Sequence, residues 1–327
     1  MAHQIETNEV TGKSEIAYVG KTPWHGLGQQ LTKGASIDVW REQAGLSWKA
    51  NLAPVKFSWD GQNYSDLPNQ FVIHRDDTKK PLGVVTGRYK VHQPDEILGF
   101  FDTLAKSAGF SLEVAGAING GKRIWALANT NQEACVLGDD AVKGYVLLST
   151  SFDGTTATIG QFTSIRVVCN NTLSAADREY APSRVSITHG TKFCEQVMAE
   201  KLGIITSSFD EMMARYQSLA HKDVTSGYVK QFLTELFPPT MQQIKENGIN
   251  KLVLADSRSY KKVFELFDGK GIGSELKGAN GTRWGLLNAV TEYIDHQRGH
   301  STDSRINNAW FGNGNRLKSE AEKLLLA

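Results

Sequence analysis

Hydrophobic and polar positions follow two different rhythms along this chain, and the change falls near residue 190. Before it, short runs alternate with a period of two. "APVKFSW" (53–59), "QFVIHR" (70–75), "LGVVTGRYKV" (82–91), "FSLEVAGAI" (110–118), "KRIWALA" (122–128), "YVLLSTSF" (145–152) and "TATIGQFTSIRVV" (156–168) read as strands. "NGG" at 119–121 and "FDGTT" at 152–156 supply turn residues for hairpins, since glycine tolerates positive φ. One stretch breaks the rhythm. Ile97, Phe101, Leu104 and Ala108 recur at helical spacing, with Pro94 and two acids at the start and Gly109 at the end, which predicts a helix over 95–108.

After residue 190 the period becomes helical. Phe209, Met212, Met213, Tyr216 and Leu219 form one apolar face. Trp284, Leu287, Thr291 and Ile294 form another, with Thr282 placed to cap it, and "RLKSEAEKLLLA" closes the chain as a terminal helix. The pattern predicts an α+β fold: a curved, mostly antiparallel sheet over residues 50–170 with the 95–108 helix packed on it, then a helical C-terminal region. It divides the chain into a β-rich core, 1–190, and a helical part, 191–327.

Composition changes this picture little. Of 327 residues 40% are hydrophobic and 22% charged, enough for a real core. Lys plus Arg is 36 and Asp plus Glu is 35, so no global field draws the chain to nucleic acid or membrane, and any electrostatic site is a local patch. Cys135, Cys169 and Cys194 are odd in number and widely spaced, which argues against a disulfide framework or a zinc ribbon. The polar N-terminus and the lack of a long apolar run predict a cytoplasmic protein with no membrane span.

Motifs for chemistry are not visible. The Gly-rich loop 268–281 has neither a Walker A pattern nor a dinucleotide fingerprint and reads as a connector. His296 and His300 are four apart but lack the adjacent glutamate of a zincin, so no metal is expected there. Asp139 and Asp140 are adjacent, which suits a loop better than an acid–base pair. No cofactor and no catalytic residue are expected.

The strands themselves carry another signal. In "VVTGRYK", Val84, Thr86, Arg88 and Lys90 fall on one face and Val85, Gly87 and Tyr89 on the other; Arg123 and Trp125 share a face in the next hairpin. Arg166 interrupts an apolar strand that ends in Cys169, Asn170 and Asn171. Cations that track phosphates and rings that stack bases make single-stranded DNA a candidate partner, with Arg88, Lys90, Arg123, Trp125, Arg166, Asn170 and Asn171 as its contacts. The competing readings are a solvated strand face and, for Arg166, an internal ion pair with Asp177 or Glu179. Trp24 in "TPWHGLG" is expected to be a buried anchor.

The same residues carry a resemblance. "TPWHGLG" (22–28), "RVVCNNTL" (166–173), "RWGLLNAVTEYIDH" (283–296) and "NNAWFGNG" (307–314) resemble, in order, the phage and plasmid-like proteins built on the domain of unknown function 932. Such mobile elements often carry single-strand annealing proteins of the Red-beta and RecT kind, with a β-rich core, a packed helix and a tendency to oligomerise. The resemblance therefore implies an annealing protein that forms homo-oligomers. The alternative it leaves open is an interaction protein that counteracts a host defence or regulatory protein.

Overall fold

A computed structural model describes residues 7–8, 12–20, 27–168, 171–173, 184–203, 208–238, 257–299 and 308–327. Its strands are β1 (Ile16–Val19), β2 (Gln29–Leu31), β3 (Ala50–Ser58), β4 (Tyr64–Arg75), β5 (Pro81–Thr86), β6 (Ser111–Ile118), β7 (Arg123–Cys135), β8 (Ala141–Ser151), β9 (Thr158–Arg166), β10 (Asn171–Leu173) and β11 (Arg184–Ile187). Helices are α1 (Ile37–Gln43), α2 (Pro94–Ala108), α3 (Glu195–Gly203), α4 (Ser208–Ala220), α5 (Ser226–Leu236), α6 (Arg258–Glu265), α7 (Arg283–Glu292) and α8 (Asn313–Leu326).

The α+β class is as the pattern predicts, and the sheets are antiparallel apart from the β1–β2 pair. The run from 50 to 170 does not form one sheet, however. β6 to β9 lie in an eight-stranded sheet of order β10-β9-β8-β7-β6-β1-β2, with β11 also on β9, while β3-β4-β5 form a sheet of their own. The break comes at the end of β5. The Tyr89 N–H turns back to the Thr86 carbonyl, the chain leaves the ladder, and the residues up to α2 are drawn inward by other contacts described below.

α2 forms for the reasons visible in its sequence. The Gln93 N–H donates to the Glu96 carboxylate at 2.7 Å, Pro94 sits in the first turn, and Gly109 takes φ +70° at the C-terminal end. Ile97, Phe101 and Leu104 are buried in the main core, as are Leu98 and Phe100. The Gln93 side chain also ties β3 to this helix, bonding both the N–H and the carbonyl of Ala50.

The large sheet is covered on both faces. One face presents Ile124, Ala126 and Ala128 from β7, Val146 and Leu148 from β8 and Phe162 from β9 to the helices, where Met212, Tyr216 and Leu219 of α4 join the same core. Every residue of α7 from Trp284 to Glu292 is buried, so this helix is enclosed all round. The opposite face gathers Ile118, Trp125, Leu127, Tyr145 and Leu147 in a second cluster, with Ile16 from β1 and with Trp310 and Phe311 packed against it.

Candidate binding surface

Of the seven candidate contacts, the five whose side chains are described do not come together in one place. Arg88 and Lys90 lie on a strap between β5 and α2, and both are exposed. Tyr89 between them points inward: its ring stacks on His189 at 4.3 Å and its hydroxyl donates to the Ser151 carbonyl at 2.6 Å. The alternation expected for 84–90 holds only to Thr86, where β5 ends: Gly87 is exposed, the chain turns, and Arg88 and Lys90 stand on the strap and not on the strand face that carries Val84 and Thr86.

Behind the strap is a buried polar network that the sequence does not announce. His189 and His92 face each other at 4.3 Å between ring centroids, and Phe193 borders His92. His92 Nδ1 lies 2.6 Å from Thr158 Oγ1 and Nε2 2.9 Å from the Thr191 carbonyl. His189 Nδ1 lies 2.9 Å from the Lys90 carbonyl, and Thr150 Oγ1 bonds Thr158 Oγ1 at 2.7 Å. Burial pushes the His189 imidazolium down to about 4 and lowers His92 as well, against the carbonyl contacts that favour the charged form. The network clamps the strap to β8 and β9 and so fixes where Arg88 and Lys90 stand.

Arg123 joins the same corner from the large sheet. It is half-buried, donates to Thr156 Oγ1 at 3.3 Å and lies 4.6 Å over the Phe311 ring. The β8–β9 turn, 151–156, therefore receives Tyr89 from one side and Arg123 from the other. Trp125 shares the Arg123 face as expected but is buried, edge-on to Trp310 at 4.7 Å. A ring packed in this way cannot stack a base; it is core, and its indole N–H meets no acceptor among the described residues.

Arg166 is the main correction. Expected among the contacts to single-stranded DNA, the residue is instead 1% exposed. Its guanidinium makes a bidentate pair with Asp140, both contacts at 2.7 Å, and donates to the carbonyls of Gly273 at 2.9 Å and Ile272 at 3.3 Å. The Trp284 indole N–H donates to the same carboxylate at 2.8 Å. The physical reason is parity. Arg166 follows Phe162 and Ser164 on the helix-covered face of β9, where only an acid can satisfy a cation. Asp140 supplies it; Asp177 and Glu179 lie outside the described residues. Asn171 is in β10, its backbone opposite Arg166, and Asn170 lies outside the described residues, as does Trp24.

The Gly-rich loop is fastened from two sides. Arg166 holds its carbonyls, and Glu292, whose carboxyl burial pushes up, accepts the Ile272 N–H at 3.0 Å. Among the described residues no group of three or more His, Cys, Asp or Glu is placed to hold a metal. His296 is half-buried in a π-helical turn, and His300 lies outside the described residues. Cys135 and Cys194 are free and exposed. No described helix is long and apolar enough to cross a membrane.

One family model matches this chain, described as Domain of unknown function (DUF932), over residues 81–319. The chain belongs to that family. The matched span begins at β5 and takes in the strap, the large sheet from β6 onward, the Arg166 network and the first half of α8. No curated protein and no solved structure matches.

Proposed function

We propose that this DUF932 protein binds single-stranded DNA without chemistry, as an annealing protein of a phage or plasmid acting in the cytoplasm of a bacterial host. The observation that carries the reading is the strap. Tyr89 is locked inward by a stack and a hydrogen bond, so Arg88 and Lys90 are held outward with no acidic partner among the described residues. Arg123 adjoins the same turn, where the Thr156 hydroxyl accepts from it and the Asp153 charge offsets part of its own. Prefixed cations lose less side-chain entropy when they meet phosphates than cations on a loose loop. Arg166 and Trp125 are not part of this site.

Anisotropy of a labelled oligo-dT against salt tests the reading. Two phosphate contacts give a log–log slope of about −1.4, at roughly −0.7 per contact on a single strand. Arg88→Glu with Lys90→Glu should abolish that binding and leave the melting temperature unchanged. Well-folded wild type with no affinity at low salt would refute it. An interaction protein that counteracts a host defence or regulatory protein is the second reading. It draws on the exposed Val167, Val168 and Ile272, an apolar patch where β9 ends against the Gly-rich loop.

A further inference from the structure

The outer face of the β3-β4-β5 sheet is built unlike the rest of the surface. Cross-strand register places Ala53, Val72 and Val84 side by side on it, and Val55 and Phe57 follow Ala53 along β3. Trp59 continues that alternation just past the strand, its ring 6.2 Å from Phe57. The opposite face holds Ala50, Ile73 and Val85 in the core. Phe57 is 46%, Val84 56% and Trp59 63% exposed. Around them stand Asn51, Ser65, Gln70, His74 and Thr86, so the face has an apolar centre, a polar rim and, among the described residues of its three strands, no Lys, Arg, Asp or Glu. The charges of the hairpin, Lys56 and Asp66, pair with each other at 3.7 Å from the alternate positions.

We infer that this face is where a second copy of the chain docks, sheet face against sheet face about a two-fold axis. Three observations select that occupant. A surface without cations does not fit phosphates, which separates this face from the Arg88–Lys90 corner. A neutral apolar face with a neutral polar rim is complementary to itself, as an isologous contact requires. The area is also right. At ~150–250 Å² for a large side chain, Phe57, Trp59 and Val84 leave on the order of 350 Å² of apolar surface. The apolar half of a standard interface is roughly 400–500 Å² per partner, and the half-buried Ala53, Val55 and Val72 make up most of the difference. Docking is through the face and not the β3 edge. Pro54 has no N–H to pair and Lys56 stands in the same strand, two devices that blunt an edge against strand addition.

The inference stands whether or not the chain binds DNA. Sedimentation equilibrium of the full chain over the micromolar range tests it, with Val84→Glu on the outer face and Lys56→Glu on the opposite one. The expected result is a wild type at twice the monomer mass, Val84→Glu weakened at least tenfold toward monomer, and Lys56→Glu still dimeric. Amide exchange across 51–59, 70–74 and 84–86 in the unmutated protein should also slow as concentration rises, which covers the case of a variant that folds poorly. A monomeric wild type, exchange that ignores concentration, or dissociation by Lys56→Glu as well would each overturn it. So would a monomer in which Val84→Glu removes oligonucleotide binding, since the face would then belong to the nucleic acid.

Discussion

Removing Arg166 tests the central assignment of the buried network. In Arg166→Met the Asp140 carboxylate stays buried and keeps the Trp284 donor, while the Ile272 and Gly273 carbonyls lose their guanidinium. Breaking a buried pair by deleting one partner costs about 3–5 kcal/mol. Two carbonyl contacts to a charged donor add to the strain, so the upper half of that range is expected. Melting should fall by roughly 8–20 °C, taking about 2–4 °C per kcal/mol for a large domain. Asp140→Asn should lose nearly as much. Arg166→Met combined with Asp140→Asn should lose less than the two single losses together by about 1–3 kcal/mol, because no charge is then stranded. Urea unfolding of the four proteins reads these differences, and anisotropy on the same samples reads DNA affinity. Unchanged stability in Arg166→Met would refute the argument, as would strict additivity. A large loss of DNA affinity at unchanged stability would return Arg166 to the binding surface.

Two further outcomes follow from the packing and the titrating groups. A Cβ on Gly285 would stand 1.8 Å from the Ala279 carbonyl oxygen, backbone against backbone, so Gly285→Ala should cost roughly 3 kcal/mol or more and lower soluble yield and melting together. His189 has its folded value near 4, below the ordinary 6.5, so the unfolded chain takes up the proton first as pH falls. Its contribution is complete above pH 6.5 and is lost on the way down to 4, at most roughly 3 kcal/mol. His92 acts in the same direction. His189→Phe keeps a ring in the stack but cannot titrate, so stability measured between pH 5 and 6.5, above most carboxylates, should lose part of its slope; an identical slope would refute the assignment.

Local chemistry was legible in the sequence and long-range chemistry was not. The α2 boundaries could be read because Pro94, Glu96 and Gly109 act on their own backbone. The faces of α4 could be read because 3.6-residue periodicity is a property of the helix alone. The alternation at 84–90 held only to Thr86; past the strand's end Tyr89 still turns inward, because it finds a buried ring to stack on. Arg166 went the other way. An arginine in an apolar strand has two physical solutions, water or a buried acid, and the choice depends on what covers that face. Asp140, 26 residues earlier on a turn, and Trp284, more than a hundred residues later, make the choice here. Trp125 is buried for a similar reason, because Trp310 arrives from the far end of the chain. The division into two sheets had no local marker at all.

The charge balance also constrains how the proposed function can work. Three of the chain's cations, Arg75, Arg166 and Lys318, are spent on the buried acids Glu15, Asp140 and Asp295. A polyanion meets only what remains outside, and the corner at Arg88 and Lys90 is small. With a slope of about −1.4, affinity falls only about sevenfold between 50 and 200 mM salt, whereas a site with 6–10 contacts loses about 10³–10⁵. One corner therefore binds weakly at any salt. A second copy changes that without a new contact, because the second corner then engages the same strand intramolecularly, at an effective concentration set by the spacing of the two. If both proposals hold, Val84→Glu should reduce DNA affinity on long oligonucleotides that reach both corners and leave it unaltered on short ones that reach only one. Equal loss at both lengths would mean that the outer sheet face touches DNA itself, and equal retention would mean that dimerisation and DNA binding are unconnected.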